Sequence, residues 1–128
     1  MHKAFLLSLF TTVAATSPVS SQSMSPMRGE IRSVADSFAL RVHPRNPYKH
    51  RINVAVRVYD ADFRPIDANV TPSVITLGAG GSRSVLVVVR FDGARKRRVR
   101  VCTESVPFSD KGFGIKAQVC GKFIAYRF

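Results

Sequence analysis

The sequence predicts an all-β fold, namely a seven-stranded immunoglobulin-like β-sandwich that forms a single domain. Short runs rich in β-branched residues alternate between apolar and polar positions, as half-buried strands do. Gly, Pro, Asn and Asp separate these runs at the spacing expected of a sandwich. Long apolar stripes with the period of a helix are missing from the sequence after the first 21 residues.

The N-terminal 21 residues predict a secretory signal peptide. His2 and Lys3 form a short basic start, and "AFLLSLFTTVAA" follows as an apolar segment of about a dozen residues. Small residues come next, and we expect cleavage after Ser21, which leaves 22–128 as the mature domain. The apolar segment is shorter than a membrane-spanning helix. We therefore expect an exported protein whose mature chain has no transmembrane segment.

Seven segments of the mature chain carry the strand pattern. In "INVAVRVYD", for example, Ile52, Val54, Val56 and Val58 fall on one face of a strand. The glycine-rich "GAGGS" and the charged "DGARKRR" predict turns between strands. The predicted strands are 24–34, 37–43, 52–60, 73–77, 83–91, 99–106 and 115–128.

Cys102 and Cys120, the two cysteines of the chain, fall in the last two predicted strands. An antiparallel hairpin that places them opposite each other also pairs Arg100 with Lys122 on a mostly polar face and aligns apolar residues on the other. Its turn falls near 111–112, within "SDKGFG". Because exported proteins meet oxidising conditions, we predict a disulfide on the solvent-side face rather than two free thiols. Such a bond would stabilise the fold by roughly 3 kcal/mol.

The chain is strongly basic, with 20 Lys and Arg against 8 Asp and Glu in 128 residues. A cluster of cations could bind a polyanion such as a heparin-like polymer, anionic lipid or lipopolysaccharide. Export and sparse aromatic interleaving argue against nucleic acid as a partner. The candidate residues for this polyanion patch are Arg95, Lys96, Arg97, Arg98 and Arg100.

An enzyme is not expected from this sequence. It contains neither a nucleophile elbow nor a glycine-rich phosphate loop between a strand and a helix. His43 and His50 lack carboxylates or thiols at the spacing of a metal site. We therefore expect no catalytic residue, no metal and no cofactor.

Five segments, taken in order, resemble the N-terminal domain of periplasmic pilus-assembly (fimbrial) chaperones. These are "MSPMRGEI", "FALRVHPRNPYKHRINVAVRVYD", "VTPSVITLGAGGSRSVLV", "RVRVCTESVP" and "GKFIAYR". The resemblance runs over about 24–127 and corresponds to the first of that family's two domains. It implies a non-catalytic periplasmic protein that binds pilin-like secreted subunits, or another extracytoplasmic protein, by adding its last strand to theirs.

The resemblance also implies specific site residues. Arg28 and Lys122 match the two basic residues that bind the C-terminal carboxylate of the subunit in that family. Ile115, Ala117 and Val119 would form the apolar row of the donated strand, although they could equally face the core of the domain. An exposed last strand could also pair with a second copy of the chain.

Overall fold

The computed structural model describes residues 23–105 and 117–128, and these residues form strands, turns and loops without a helix. Within these two ranges no helix is long and apolar enough to cross a membrane. The strands are β1 (Ser23–Ser25), β2 (Arg28–Ser33), β3 (Ser37–Arg45), β4 (Ile52–Asp60), β5 (Ala68–Thr71), β6 (Val74–Leu77), β7 (Val85–Arg90), β8 (Lys96–Ser105) and β9 (Ala117–Arg127).

The strands form two sheets. Within the described residues one sheet has four strands in the order β1-β3-β7-β5, and the other has five strands in the order β2-β9-β8-β4-β6. Neighbouring strands run antiparallel, except that β2 runs parallel to β9. The predicted all-β sandwich is confirmed by this arrangement.

The core lies between the two sheets and is built mainly from valine. Alternate residues of each strand point inward, so the period of two in the sequence becomes one buried face per strand. Strand β7, for example, buries Val85, Val87 and Val89 completely. The aromatic rings of Phe38 and Phe91 pack together in this core, with centroids 5.0 Å apart.

The division into strands differs from the prediction in two places. The first predicted strand is split at Pro26 and Met27, because β1 pairs with β3 in one sheet whereas β2 pairs with β9 in the other. Strand β5 was not predicted, since its four residues show a pattern too short to recognise without its partner β7. Both differences depend on partners that are distant in the sequence.

The segment predicted as a charged turn is also partly a strand. Strand β8 begins at Lys96 rather than at 99, because β9 extends to Arg127 and pairs with β8 as far as Lys96. The turn is confined to a few residues around Gly93, whose φ of 81° favours glycine. The predicted signal peptide, its cleavage site after Ser21 and the hairpin turn near 111–112 lie outside the described residues.

Candidate functional site

The two predicted anchor residues lie side by side. Arg28 opens β2, and the parallel register pairs it directly with Lys122 of β9. The backbone N–H of Lys122 donates a hydrogen bond of 2.9 Å to the carbonyl of Met27, which fixes this register at the point where β2 begins. Both side chains belong to the exposed residues of the outer sheet face. Two cations that are far apart in the sequence therefore meet on one surface.

Arg100 extends this pair to a row of three cations. Lys122 is the register partner of Arg28 on one side and of Arg100 on the other. The three side chains therefore occupy neighbouring strands, spaced by about 4.8 Å per strand. They border a cleft of about 590 Å³. The cleft is lined by Arg28, Gly29, Ala61, Arg98, Val99, Arg100, Lys122, Phe123 and Ile124.

The cleft is positively charged and has no acidic residue in its described lining. Glu30, two residues along β2, is engaged with Arg32 at 3.5 Å. The guanidinium of Arg100 lies 4.3 Å from the ring centroid of Phe63, and its Nε donates to the carbonyl of Ala61 at 3.3 Å. Like charges at adjacent positions of a sheet repel each other. An anion bound in the cleft would relieve that repulsion.

An uncovered strand edge leads into the cleft. Strand β8 pairs with β9 from Ala117 onwards, but β2 covers the other edge only from Lys122 onwards. Among the described residues no strand pairs with that edge of β9 between Ala117 and Gly121. A strand edge of this kind is a template for pairing with another chain.

The direction of the backbone groups on this edge follows from two hydrogen bonds. The N–H groups of Lys122 and Phe128 donate to carbonyls of Met27 and Ser33, on the side of β2. Successive residues of a strand alternate in direction, so even-numbered residues of β9 face that side. The backbone N–H and C=O groups of Gln118 and Cys120 therefore point outward from the uncovered edge, away from β8.

The predicted donor row is described only in part. Ile115 lies outside the described residues. Ala117 and Val119 are half-buried, and Val119 packs against the core of the domain. Val119 thus follows the alternative, in which these side chains face the core of the domain. The donor role of the row stays a prediction.

The basic run of the polyanion hypothesis is spread over the cleft and a second depression, which Lys96, Arg97 and Arg98 border together with Asp60 and Asp62. Lys96, Arg98 and Arg100 alternate with Arg97 along β8. Arg98 and Arg100 line the cleft, whereas Arg97 hydrogen-bonds the carbonyl of Arg90 and lies 3.5 Å from a carboxylate oxygen of Asp92. Strand geometry therefore divides the run, and part of it joins the site that contains Arg28 and Lys122.

The two cysteines form the predicted disulfide. Cys102 and Cys120 are register partners with their Cα atoms 4.1 Å apart, and the sulfurs are bonded. They share the sheet face of Arg100 and Lys122, as predicted, but Cys102 is fully buried on that face. The predicted pairing is confirmed, and Cys102 is buried even though its sheet face was predicted to be the solvent side.

A buried carboxylate beside the disulfide was not singled out from the sequence. Glu104 is 6% exposed and accepts hydrogen bonds from the hydroxyl of Tyr59 at 2.6 Å and from Nε2 of Gln118 at 3.0 Å. Arg57 lies 3.3 Å from its other oxygen. The hydrogen bond to Glu104, followed by burial, raises the pKa of Tyr59. This cluster ties β4, β8 and β9 together on the outer face.

Metal binding has no support in the described residues, where no three His, Cys, Asp or Glu side chains are grouped to hold an ion. His43 and His50 lie on the exposed surface of β3 and of the loop that follows it.

The comparisons with known proteins identify the fold. No protein-family model and no curated protein matches the sequence. Among solved structures, the SafB chaperone of Salmonella enterica, which is in complex with SafA pilin, aligns with a TM-score of 0.68 and 21% identity. The E. coli chaperone DraB aligns with a TM-score of 0.66 and 19% identity. These alignments cover 88% and 84% of this chain but 57% and 55% of the chaperones.

The same fold also occurs outside pilus chaperones. A PapD-like domain of human CEP192 aligns over 98% of both chains, with a TM-score of 0.61 and 9% identity. The chain therefore has the PapD-like immunoglobulin fold, as the resemblance predicted, and it spans little more than half the length of the chaperones named above.

Proposed function

We propose that this chain, which has the fold of pilus chaperones, is a non-catalytic binding domain that holds pilin-like subunits during the assembly of a bacterial pilus. The observation that carries the proposal is the junction of the uncovered edge of β9 with the Arg28–Lys122 pair. SafB, whose fold this chain shares, is found in complex with a pilin.

The charge of the site selects the direction of an added strand. A strand on the free edge of Ala117–Gly121 would lie in line with β2, next to Arg28. If that strand ran parallel to β9, its C-terminal carboxylate would arrive between Arg28 and Lys122, where charge-assisted hydrogen bonds favour it. If the added strand ran antiparallel to β9, a positively charged N-terminus or a neutral peptide group would lie between Arg28 and Lys122 instead. The cation pair therefore favours parallel strand addition that ends at a free carboxylate.

Export to the periplasm is part of the proposal. Its support is the signal-like segment 1–21, together with a disulfide between Cys102 and Cys120, which is typical of oxidising compartments. The mature domain 22–128 would then meet secreted subunits before they are assembled.

The test is recovery of subunits from the periplasm on the tagged full chain. We expect a pilin-like subunit to remain bound in high salt, because main-chain hydrogen bonds are screened less than surface charges. Lys122→Ala should reduce the recovered subunit at least about tenfold, since it removes a charge-assisted contact. Lys49→Ala, an exposed cation in the loop before β4, is the matched control and should have no effect.

A second pair of variants tests strand addition. Gln118→Pro removes the backbone N–H that points from the free edge and should abolish binding. Gln118→Ala removes the same side chain but keeps that N–H, and it should bind normally. Equal binding by both variants would contradict the proposed strand addition.

The alternative function is a secreted cationic protein that binds a polyanion or the cell envelope through 95–100. The hypothesis is weakened because Arg97 is paired with Asp92 and because Asp60 and Asp62 border the depression that Lys96, Arg97 and Arg98 share. Two results would support the polyanion alternative. High salt would remove all material bound to the tagged chain, and charge reversal of 95–100, but not Lys122→Ala, would abolish the recovery of that material.

A further inference from the structure

We propose that one end of the sandwich binds the surface of an anionic phospholipid membrane. We call this surface the basic end. It is defined by four exposed cations at the end of β3 and on two neighbouring loops, namely Arg45, Lys49, Arg51 and Arg83. The lining of the cleft beside Lys122 contains none of the four. The inference therefore concerns a second surface and does not depend on the proposed function.

A buried asparagine holds the two loops of the basic end together. The side-chain amide of Asn46, which is fully buried, donates hydrogen bonds of 3.1 Å to the carbonyls of Leu77 and Gly78, before the turn that leads to β7. The same amide donates a bond of 2.7 Å to the carbonyl of His50, in the loop before β4. Because the loops are already fixed relative to each other, their cations need little ordering when a ligand binds.

The segments that form the basic end contain no acidic residue. Neither 37–59 nor 68–91 includes an Asp or a Glu. The acidic residues that bound these segments lie at the opposite end of the strands. Asp60, for example, ends β4 and is about 27 Å from the start of that strand. Among the described residues, the four cations of the basic end form no ion pair.

Two further groups near the basic end do not cancel its charge. Glu104, the partner of Ala55 near the start of β4, is buried and lies 3.3 Å from Arg57. Residues 106–116, which follow β8 and lie outside the described residues, contain one Asp and two Lys. The net charge of this end is therefore positive, and charge complementarity calls for an anionic partner.

The position of the N-terminal segment favours a membrane as that partner. Ser23, the first described residue, is the register partner of Arg45. The predicted signal peptide, 1–21, ends directly before this point. While such a segment is held in a membrane, the domain is attached at its basic end, which then faces the lipid. Cations close to an anionic bilayer each contribute to binding.

The test measures binding of the mature chain to lipid vesicles at about 0.1 M salt, where charges act over about 10 Å. One set of vesicles is phosphatidylcholine with about one third phosphatidylglycerol, and the other is phosphatidylcholine alone. We expect binding to the anionic vesicles only. The combined substitutions Arg45→Gln, Arg51→Gln and Arg83→Gln should weaken it at least about tenfold, since each cation near the surface contributes about fivefold.

A matched control removes three cations from the opposite end. Arg64→Gln, Arg95→Gln and Lys96→Gln change exposed residues of the turns after β4 and β7 and of the start of β8. This combination lowers the net charge by the same amount and should weaken vesicle binding less than about twofold, because its sites lie beyond the screening length. Urea denaturation of both triple variants checks that they are folded.

A single tryptophan reports which end contacts the lipid, because the sequence contains none. Ala79→Trp places it in the exposed turn of the basic end, and Phe63→Trp places it in a turn at the opposite end. Brominated lipid in the anionic vesicles should quench the fluorescence of the first variant and leave that of the second unchanged.

Several results would overturn the proposal. Equal quenching of the two tryptophans, or an equal loss of binding in the two triple variants, would show attraction by net charge without a defined surface. Equal binding to both kinds of vesicle would exclude charge as the cause. Tighter binding of long-chain polyphosphate than of the anionic vesicles would replace the membrane by a soluble polyanion.

Discussion

Glu104 is a buried carboxylate that the fold accommodates through several polar partners. Burial of a charged group is costly unless hydrogen bonds replace its water. Tyr59, Gln118 and Arg57 provide such contacts from the two strands on either side of β8. Glu104 and Gln118 are register partners on the face of Arg100 and Lys122, which the sequence predicts to be polar, and the strand pattern does not indicate that Glu104 is buried there. Burial depends on what packs over a residue, which a strand pattern does not record.

The Tyr59–Glu104 hydrogen bond predicts a pH dependence. It stabilises the protonated phenol, so the pKa of Tyr59 is raised above its ordinary value of 10.0. The folded chain therefore holds this proton more tightly than the unfolded chain. The resulting contribution to stability is complete below pH 10 and is lost as the pH rises through the folded pKa.

An absorbance titration of tyrosinate checks this prediction. We expect a late-ionising component that disappears in Tyr59→Phe and persists in Tyr48→Phe, the matched control in the loop before β4. A late component that survives Tyr59→Phe would contradict the assignment.

At the scale of the element, β9 combines three tasks. Among the described residues, it pairs with β8 along its length and with β2 from Lys122 onwards, and no strand pairs with that second edge between Ala117 and Gly121. The hairpin register with β8 was correctly predicted, because the cysteines and the apolar alternation agree on one alignment. The uncovered edge could not be predicted from the strand pattern, since it depends on where β2 begins.

Gly121 marks the point in β9 where the chain has least room. A Cβ atom there would lie 2.8 Å from the ring of Phe123 and 3.1 Å from the carbonyl of Met27. We expect Gly121→Ala to destabilise the fold by about 1–3 kcal/mol, because a well-packed site accommodates added atoms poorly. Displacement of the Met27 carbonyl should also disturb its hydrogen bond to Lys122 and weaken subunit binding.

Urea denaturation of the variant measures this effect. Gly78→Ala is the control, because a Cβ atom at Gly78 would meet nothing within 4 Å. If the two substitutions cost the same free energy of unfolding, close packing is not the reason for glycine at 121.

At the scale of the whole molecule, charge and the free edge of β9 act against each other. The edge can pair with a second copy, whereas a formal net charge of +12 on 128 residues makes two copies repel. We therefore expect the mature protein to be monomeric at low salt. Self-association should increase as salt screens the repulsion, since the screening length falls to about 10 Å at 0.1 M.

Sedimentation velocity at low and high salt tests this prediction. Gln118→Pro should prevent the association, whereas Gln118→Ala should not, because only the first removes the N–H at the free edge. Association that decreases with salt, or that both variants show equally, would place the contact on another surface.

The sequence by itself determined the all-β class, the alternating core and the register of the cysteine hairpin, because these follow from patterns that repeat within a few residues. Tertiary structure decided that the chain changes sheets at Pro26 and that β2 lies parallel to β9. This pairing joins the two ends of the described chain and sets Arg28 beside Lys122 and Arg100. Strand patterns specify which face is buried but not which distant strand is the neighbour, so packing between the sheets made that choice.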